Sequence, residues 1–184
     1  MSGSVGDNTA RASGVIASAG GGTILSVKSM KYTDTISNSG TAPTQISAFD
    51  MSFAATESDS KLLFQAYMTL GNSSDLNSAG YFYDVTNGAK IGAVGDSSGS
   101  RQQLSWGGQG QTTTHGFIAI TWGIWHEPGT TSSIDYTVYG NGQSTQTMYI
   151  NRSQQDANNT YMYSARLAST FMITEYAADT VTLT

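Results

Sequence analysis

Residues 60–70 read SKLLFQAYMTL, and this stretch decides the fold. Its even positions, Leu62, Phe64, Ala66, Met68 and Leu70, are all apolar, while Leu63, Gln65, Tyr67 and Thr69 form a mixed set. Side chains of an extended chain point to alternate faces, so this period of two predicts a strand with one face in a core. Outward from it, β-prone runs and turn clusters alternate, and no segment sustains a helical period. The predicted strands are 23–36, 45–53, 60–70, 79–86, 89–94, 101–106, 115–126, 132–140, 145–151 and 168–177. Asn87-Gly88 and Asn141-Gly142 read as tight turns, because both residue types tolerate positive φ. Many short strands without crossover helices predict an all-β fold, an antiparallel jelly-roll β-sandwich. No repeat of fixed period appears, which disfavours propellers and β-helices.

The run 115–126, HGFIAITWGIWH, is apolar on both faces: Ile118, Ile120, Trp122 and Ile124 on one, Phe117, Ala119, Thr121, Gly123 and Trp125 on the other. A sandwich strand faces one core, so the second face needs a different cover. Phe117, Thr121 and Trp125 are therefore expected at a subunit interface.

Charge is scarce. Asp, Glu, Lys and Arg make up 11% of residues, against about 25% in ordinary domains, and Ser and Thr alone number 49. Such a surface of short neutral groups suits an extracellular or particle-borne protein. A net charge of −5 disfavours nucleic acid or an anionic membrane as the main partner, since both select clustered Lys and Arg. The chain has no cysteine, so stabilisation by self-association is expected in place of disulfides. No apolar run is long enough to span a membrane.

The 184 residues suit one domain. Residues 1–22 are rich in Gly, Ser and Ala and read as an extended arm, jointed at Gly20-Gly21-Gly22 to a jelly-roll domain over 23–184. Val5, Arg11, Val15 and Ile16 are the arm residues expected to dock onto a particle or a neighbouring subunit. The arm lacks the charged and apolar regions of a signal peptide, so exit from a cell by another route, such as lysis, is expected.

Enzyme chemistry is not expected, nor a metal or cofactor. His115 and His126 bracket one strand and are too far apart to share an ion. No nucleophile elbow, phosphate loop, zinc motif or dinucleotide fingerprint occurs. Asp50, Glu57, Asp59, Asp84 and Asp96 fall near strand ends and turns, where Asp serves local hydrogen bonding. The segment 95–100 offers oxygen ligands without the carboxylates of a calcium loop. The best place for recognition is the polar loop after Trp106, where an exposed Trp beside Gln109, Gln111 and His115 would contact a ligand such as a surface glycan.

Four stretches, Thr69-Leu70-Gly71-Asn72-Ser73-Ser74, Gly95-Asp96-Ser97-Ser98-Gly99-Ser100-Arg101, Tyr149-Ile150-Asn151-Arg152-Ser153 and the closing strand from Ala168 to Ala178, follow one another along the chain. In these words and their order the chain resembles small virion proteins of tailed bacteriophages, particularly marine and cyanobacterial ones, with a jelly roll like that of the C1q and tumour necrosis factor superfamily. The resemblance covers about residues 23–178 and implies a homotrimer on a phage particle, made in the bacterial host cytoplasm. Its implied role is a fibre, spike or appendage contributing to host attachment; the alternatives are capsid decoration and a secreted carbohydrate-binding module. The chain departs from long tail fibres in having no large attachment domain or shaft, which leaves the arm to contact other virion proteins.

Overall fold

The computed structural model describes residues 23–72, 77–109, 114–143 and 146–183. The eleven strands among them are β1 (Ile24–Tyr32), β2 (Ile36–Ser39), β3 (Thr44–Phe53), β4 (Lys61–Asn72), β5 (Asn77–Asp84), β6 (Ala89–Lys90), β7 (Trp106–Gln109), β8 (Ile118–His126), β9 (Ile134–Gly142), β10 (Thr147–Ile150) and β11 (Ser169–Tyr176). Single 3₁₀ turns occupy Met162–Ser164 and Ala178–Thr180. The strands form two antiparallel sheets packed face to face, the expected β-sandwich of jelly-roll type.

The spine of the first sheet is β4, the strand foreseen from SKLLFQAYMTL. One of its edges pairs with β8 along Leu62–Leu70. The other pairs with β11 over Lys61–Tyr67 and with β10 over Leu70–Asn72, so β11 and β10 lie end to end along it. Beyond them lie β1 and β2. In the second sheet β9 lies between β3 and β5, and the outer edge of β5 takes β6 at one end and β7 at the other. The long strands from β3 to β5 and from β8 to β11 alternate between the sheets, with β10 a short addition to the first.

The alternation in β4 falls as predicted: Leu62, Phe64, Met68 and Leu70 are wholly buried. Phe64 sits at the centre of the core, its ring edge-on to Tyr136 at 4.8 Å and near Phe82 at 5.6 Å. Phe82 in turn stacks on Phe171 and Trp122. Ring pairs of this geometry add roughly 0.5–1.5 kcal/mol each beyond the area they bury.

Four expectations about elements need correction. The run 23–36 is not one strand: the chain leaves β11 after Tyr32 and re-enters the sheet beside β10 as β2. The run 89–94 supplies only the two-residue β6, and the strand expected at 101–106 lies instead at 106–109, where Gly107 and Gly108 pair with Ala79 and Ser78. Asn141-Gly142 makes no turn; both residues remain in β9, paired with Ala79 and Ser78, and the reversal begins at Gln143. By contrast, Asn87-Gly88 does turn the chain, with Gly88 at φ 69°.

Candidate interaction surfaces

The outer face of the first sheet is built by the odd residues of β4 and β8 and their partners. Its cross-strand rows, read from β8 through β4 and β11 to β1, are Thr121–Tyr67–Thr170–Lys31, Gly123–Gln65–Met172–Ser29 and Trp125–Leu63–Thr174–Val27. These twelve positions include one charge, Lys31, and no acid. Tyr67 is 42% exposed and Val27 54%, and Ile24, beside Tyr176, is 53% exposed. Thr121 and Trp125 thus stand on the face where interface residues were expected. Trp125 is half-buried, with Tyr176 edge-on at 5.3 Å. Phe117 lies just before β8 and is half-buried.

The recognition residues are not gathered as expected. Trp106 is a core residue, only 6% exposed. Its indole packs on Gly80 and Gly140, where a Cβ would come within 2.6 and 2.9 Å of the ring, and lies 4.9 Å from the Trp122 ring. Two glycines from separate strands therefore make the space that draws it inward. Gln109 ends β7. Gln111 lies outside the described residues, as do Val5, Arg11, Val15 and Ile16 of the arm.

His115 is exposed as expected, but its partners come from the segment between the predicted strands 145–151 and 168–177. Its ring lies 4.3 Å from Tyr163, which stacks on Tyr161 at 5.2 Å. Tyr161 is 63% exposed and its neighbour Met162 81%. Local bonds hold this three-ring ladder: Ser153 Oγ donates to Tyr163 O at 2.6 Å, Tyr161 N donates to Asn159 Oδ1, and Gln155 N donates to Thr114 O. Asp156 sits between Arg166 at 2.7 Å and Arg152 at 3.4 Å. The loop begins by crossing Gly71, where any Cβ would strike Arg152 O.

Three of the five acids are engaged locally. Asp50 accepts from Gln45, Asp84 from Asn87, and Asp96 from the backbone of Ser97. Glu127 pairs with Lys61 at 2.6 Å. Among the described residues, no three His, Asp or Glu side chains come together as metal ligands. None of the helical segments described is long and apolar enough to cross a membrane.

His126, expected as a polar strand end, packs edge-on against Phe64 and Tyr136, and its Nε2 is buried without a hydrogen-bond partner. Burial holds its pKa below the usual 6.5, against the opposing pull of Asp84 and Glu127. The unfolded chain therefore takes up the proton first, and stability should decline as pH falls below about 6.5. Urea midpoints at pH 7.5 and 5.5 check this: the wild type should lose stability over that interval, and His126→Phe should lose less.

No protein-family model and no curated protein matches the sequence. Among solved structures, a chain in "Structure of infectious bursal disease virus Gx strain" overlaps 82% of this chain and 40% of its own length, at 11% identity and a TM-score of 0.39. The protein thus spans less than half of that chain, and an overlap this loose carries no argument about function.

Proposed function

We propose that the protein is a structural component of a bacteriophage particle, a self-associating jelly-roll subunit of a fibre, spike or similar appendage. In this reading three copies meet through the outer face of the first sheet, and the His115–Tyr163–Tyr161 ladder is presented toward the host surface. The observation that carries it is the outer face itself. It is four strands wide and holds half-exposed Tyr67, Val27 and Ile24; its charges are Lys31 and, in the row of Ile24 and Tyr176, Lys61 already paired with Glu127, so its burial would remove apolar area from water while covering few ions. Three copies would also multiply weak contacts at the ladder into firm attachment. The arm, in the same reading, contacts other virion proteins.

Light scattering tests the assembly. The wild type should run as a trimer. Tyr67→Asp with Thr121→Asp, which face each other across β4 and β8, should yield folded monomers, because both sites are exposed in the single chain. A monomeric wild type, or a trimer that survives both changes, would overturn this use of the face. Copy number on purified particles separates the roles: a few to a few dozen fits an appendage, and hundreds fit capsid decoration.

A further inference from the structure

The outer face of the second sheet holds a basin of about 760 Å³ at the end where β5 begins and β9 finishes. Its floor is the cross-strand pair Ala79 and Asn141, and one side is closed where Gln102 Nε2 donates to Thr41 O. The small side chain of Ala79 leaves the hollow. Asn141 is committed, donating to Ala42 O and accepting from Gly142 N.

Other lining groups retain hydrogen-bonding capacity. Arg101 lines the basin, and its guanidinium donates to the neutral Ser98 Oγ at 2.7 Å rather than to a carboxylate. No acid lines the basin among the described residues. Lys61, Arg152 and Arg166, by contrast, are all paired with carboxylates. Asn77 and Gln143 add side-chain amides, and Gln102 keeps its carbonyl oxygen. The next row on the same face is Tyr81 opposite Tyr139, stacked on each other at 5.4 Å, with Lys90 Nζ 4.5 Å over the Tyr81 ring, so this row closes the basin rather than offering a ring face.

A planar cationic fork and several amides are groups that recognise a sugar ring carrying an anion. We infer that this basin binds a pyranose bearing a carboxylate or a phosphate, with Arg101 on the anion and Asn77, Gln102 and Gln143 on the hydroxyls. The inference rests on the reading of the chain as a host-contacting protein, and it moves glycan recognition away from the loop after Trp106.

Calorimetry on the full chain tests it with four probes: methyl glucuronide, glucose 6-phosphate, methyl glucoside and inorganic phosphate. At least one anionic sugar should bind about tenfold more tightly than the glucoside, as expected for one charge-assisted contact. The two anionic sugars show which anion is preferred. Arg101→Ala should bring binding down to the glucoside level, and Ala79→Leu, which fills the floor without changing charge, should abolish it. The glucoside binding equally well, phosphate alone binding as tightly as either sugar, unaltered binding by folded Arg101→Ala, or no binding at all would each overturn the site. Light scattering on the same samples reads the assembly separately, so loss of the basin and loss of the trimer are distinguishable.

Discussion

Glu175→Ala should cost about 3–4 kcal/mol, a large fraction of the stability of a domain of this size. The carboxylate is wholly buried. It accepts from Thr56 N at 2.6 Å, Ser60 Oγ at 2.7 Å, Ser26 Oγ at 2.7 Å and Thr56 Oγ1 at 2.9 Å, with Glu57 N farther off at 3.4 Å. Those donors lie on β1 and on the connection from β3 to β4, so one side chain of β11 ties three parts of the sandwich together. Removing it strands the fully buried Ser60 and takes their shared partner from Ser26 and Thr56, which lie nearer the surface. Glu175→Gln, which keeps one acceptor oxygen but presents an amide donor to hydroxyls and an N–H, should cost about 2 kcal/mol.

Acid titration gives that prediction a second reading. Burial pushes the Glu175 pKa up, but the bonds from Ser26, Ser60 and Thr56 outweigh it and hold the carboxyl below its usual 4.5. The unfolded chain is again protonated first. The contribution of the ionised group is therefore complete above about 4.5 and is lost as pH falls through the lower, folded value. The difference in urea midpoint between wild type and Glu175→Gln should narrow below pH 4.5. A difference that stays constant down to pH 3 would show that charge is not what the site holds. This loss begins at about 4.5, whereas the loss from His126 begins at about 6.5.

Substitutions at Asn151 should rank Asp worst, then Ala, then Gly. Asn151 is fully buried at φ 61°, in the left-handed region. Its amide nitrogen donates to Tyr32 O and Asp34 O, both at 2.9 Å, and its oxygen accepts from Ser169 Oγ at 2.7 Å. The residue thereby fixes the exit of β1, the end of β10 and the start of β11 at one point. Gly fits the backbone but loses the three bonds, at about 2–3 kcal/mol. Ala adds about 1 kcal/mol for its left-handed conformation. Asp sets a carboxylate oxygen against two carbonyl oxygens and should cost about 4 kcal/mol or more. Chemical denaturation of the three variants checks the order, and Asp proving the mildest would show that the bonds to Tyr32 and Asp34 do not matter.

Strands with one dry face were legible in the sequence, because burial imposes a period of two that needs no knowledge of partners. Leu62 to Leu70 and Ile134, Tyr136 and Val138 are of this kind. What depends on contacts across the fold was hidden. The fate of Trp106 was set by glycines 26 positions before it and 34 after it, and nothing beside Trp106 records them. Gly107 and Gly108 read as flexible until β5 supplies a strand to pair with. Glu175 left no signal of its own and His126 read as a strand end, since buried ionisable residues are rare and their partners lie far off in the chain. The ladder at Tyr161 and Tyr163 falls between the predicted strands 145–151 and 168–177, and only the placement of Thr114 and Gln155 brings His115 to it. The basin had no local trace: its lining comes from four separated segments whose amides are ordinary one at a time.

Because β10 and β11 run end to end along one edge of β4, they behave as a single strand interrupted by an excursion. The excursion is fastened at its ends, by Asn151 and Ser153 at one and by Leu167 N donating to Asn151 O at the other. Residues between those fastenings can be rewritten or lengthened without altering which strands are neighbours, since the added loop entropy grows only slowly with length. Natural variation in such a protein would concentrate between these anchors, where a lineage can change what it touches while inheriting its architecture intact.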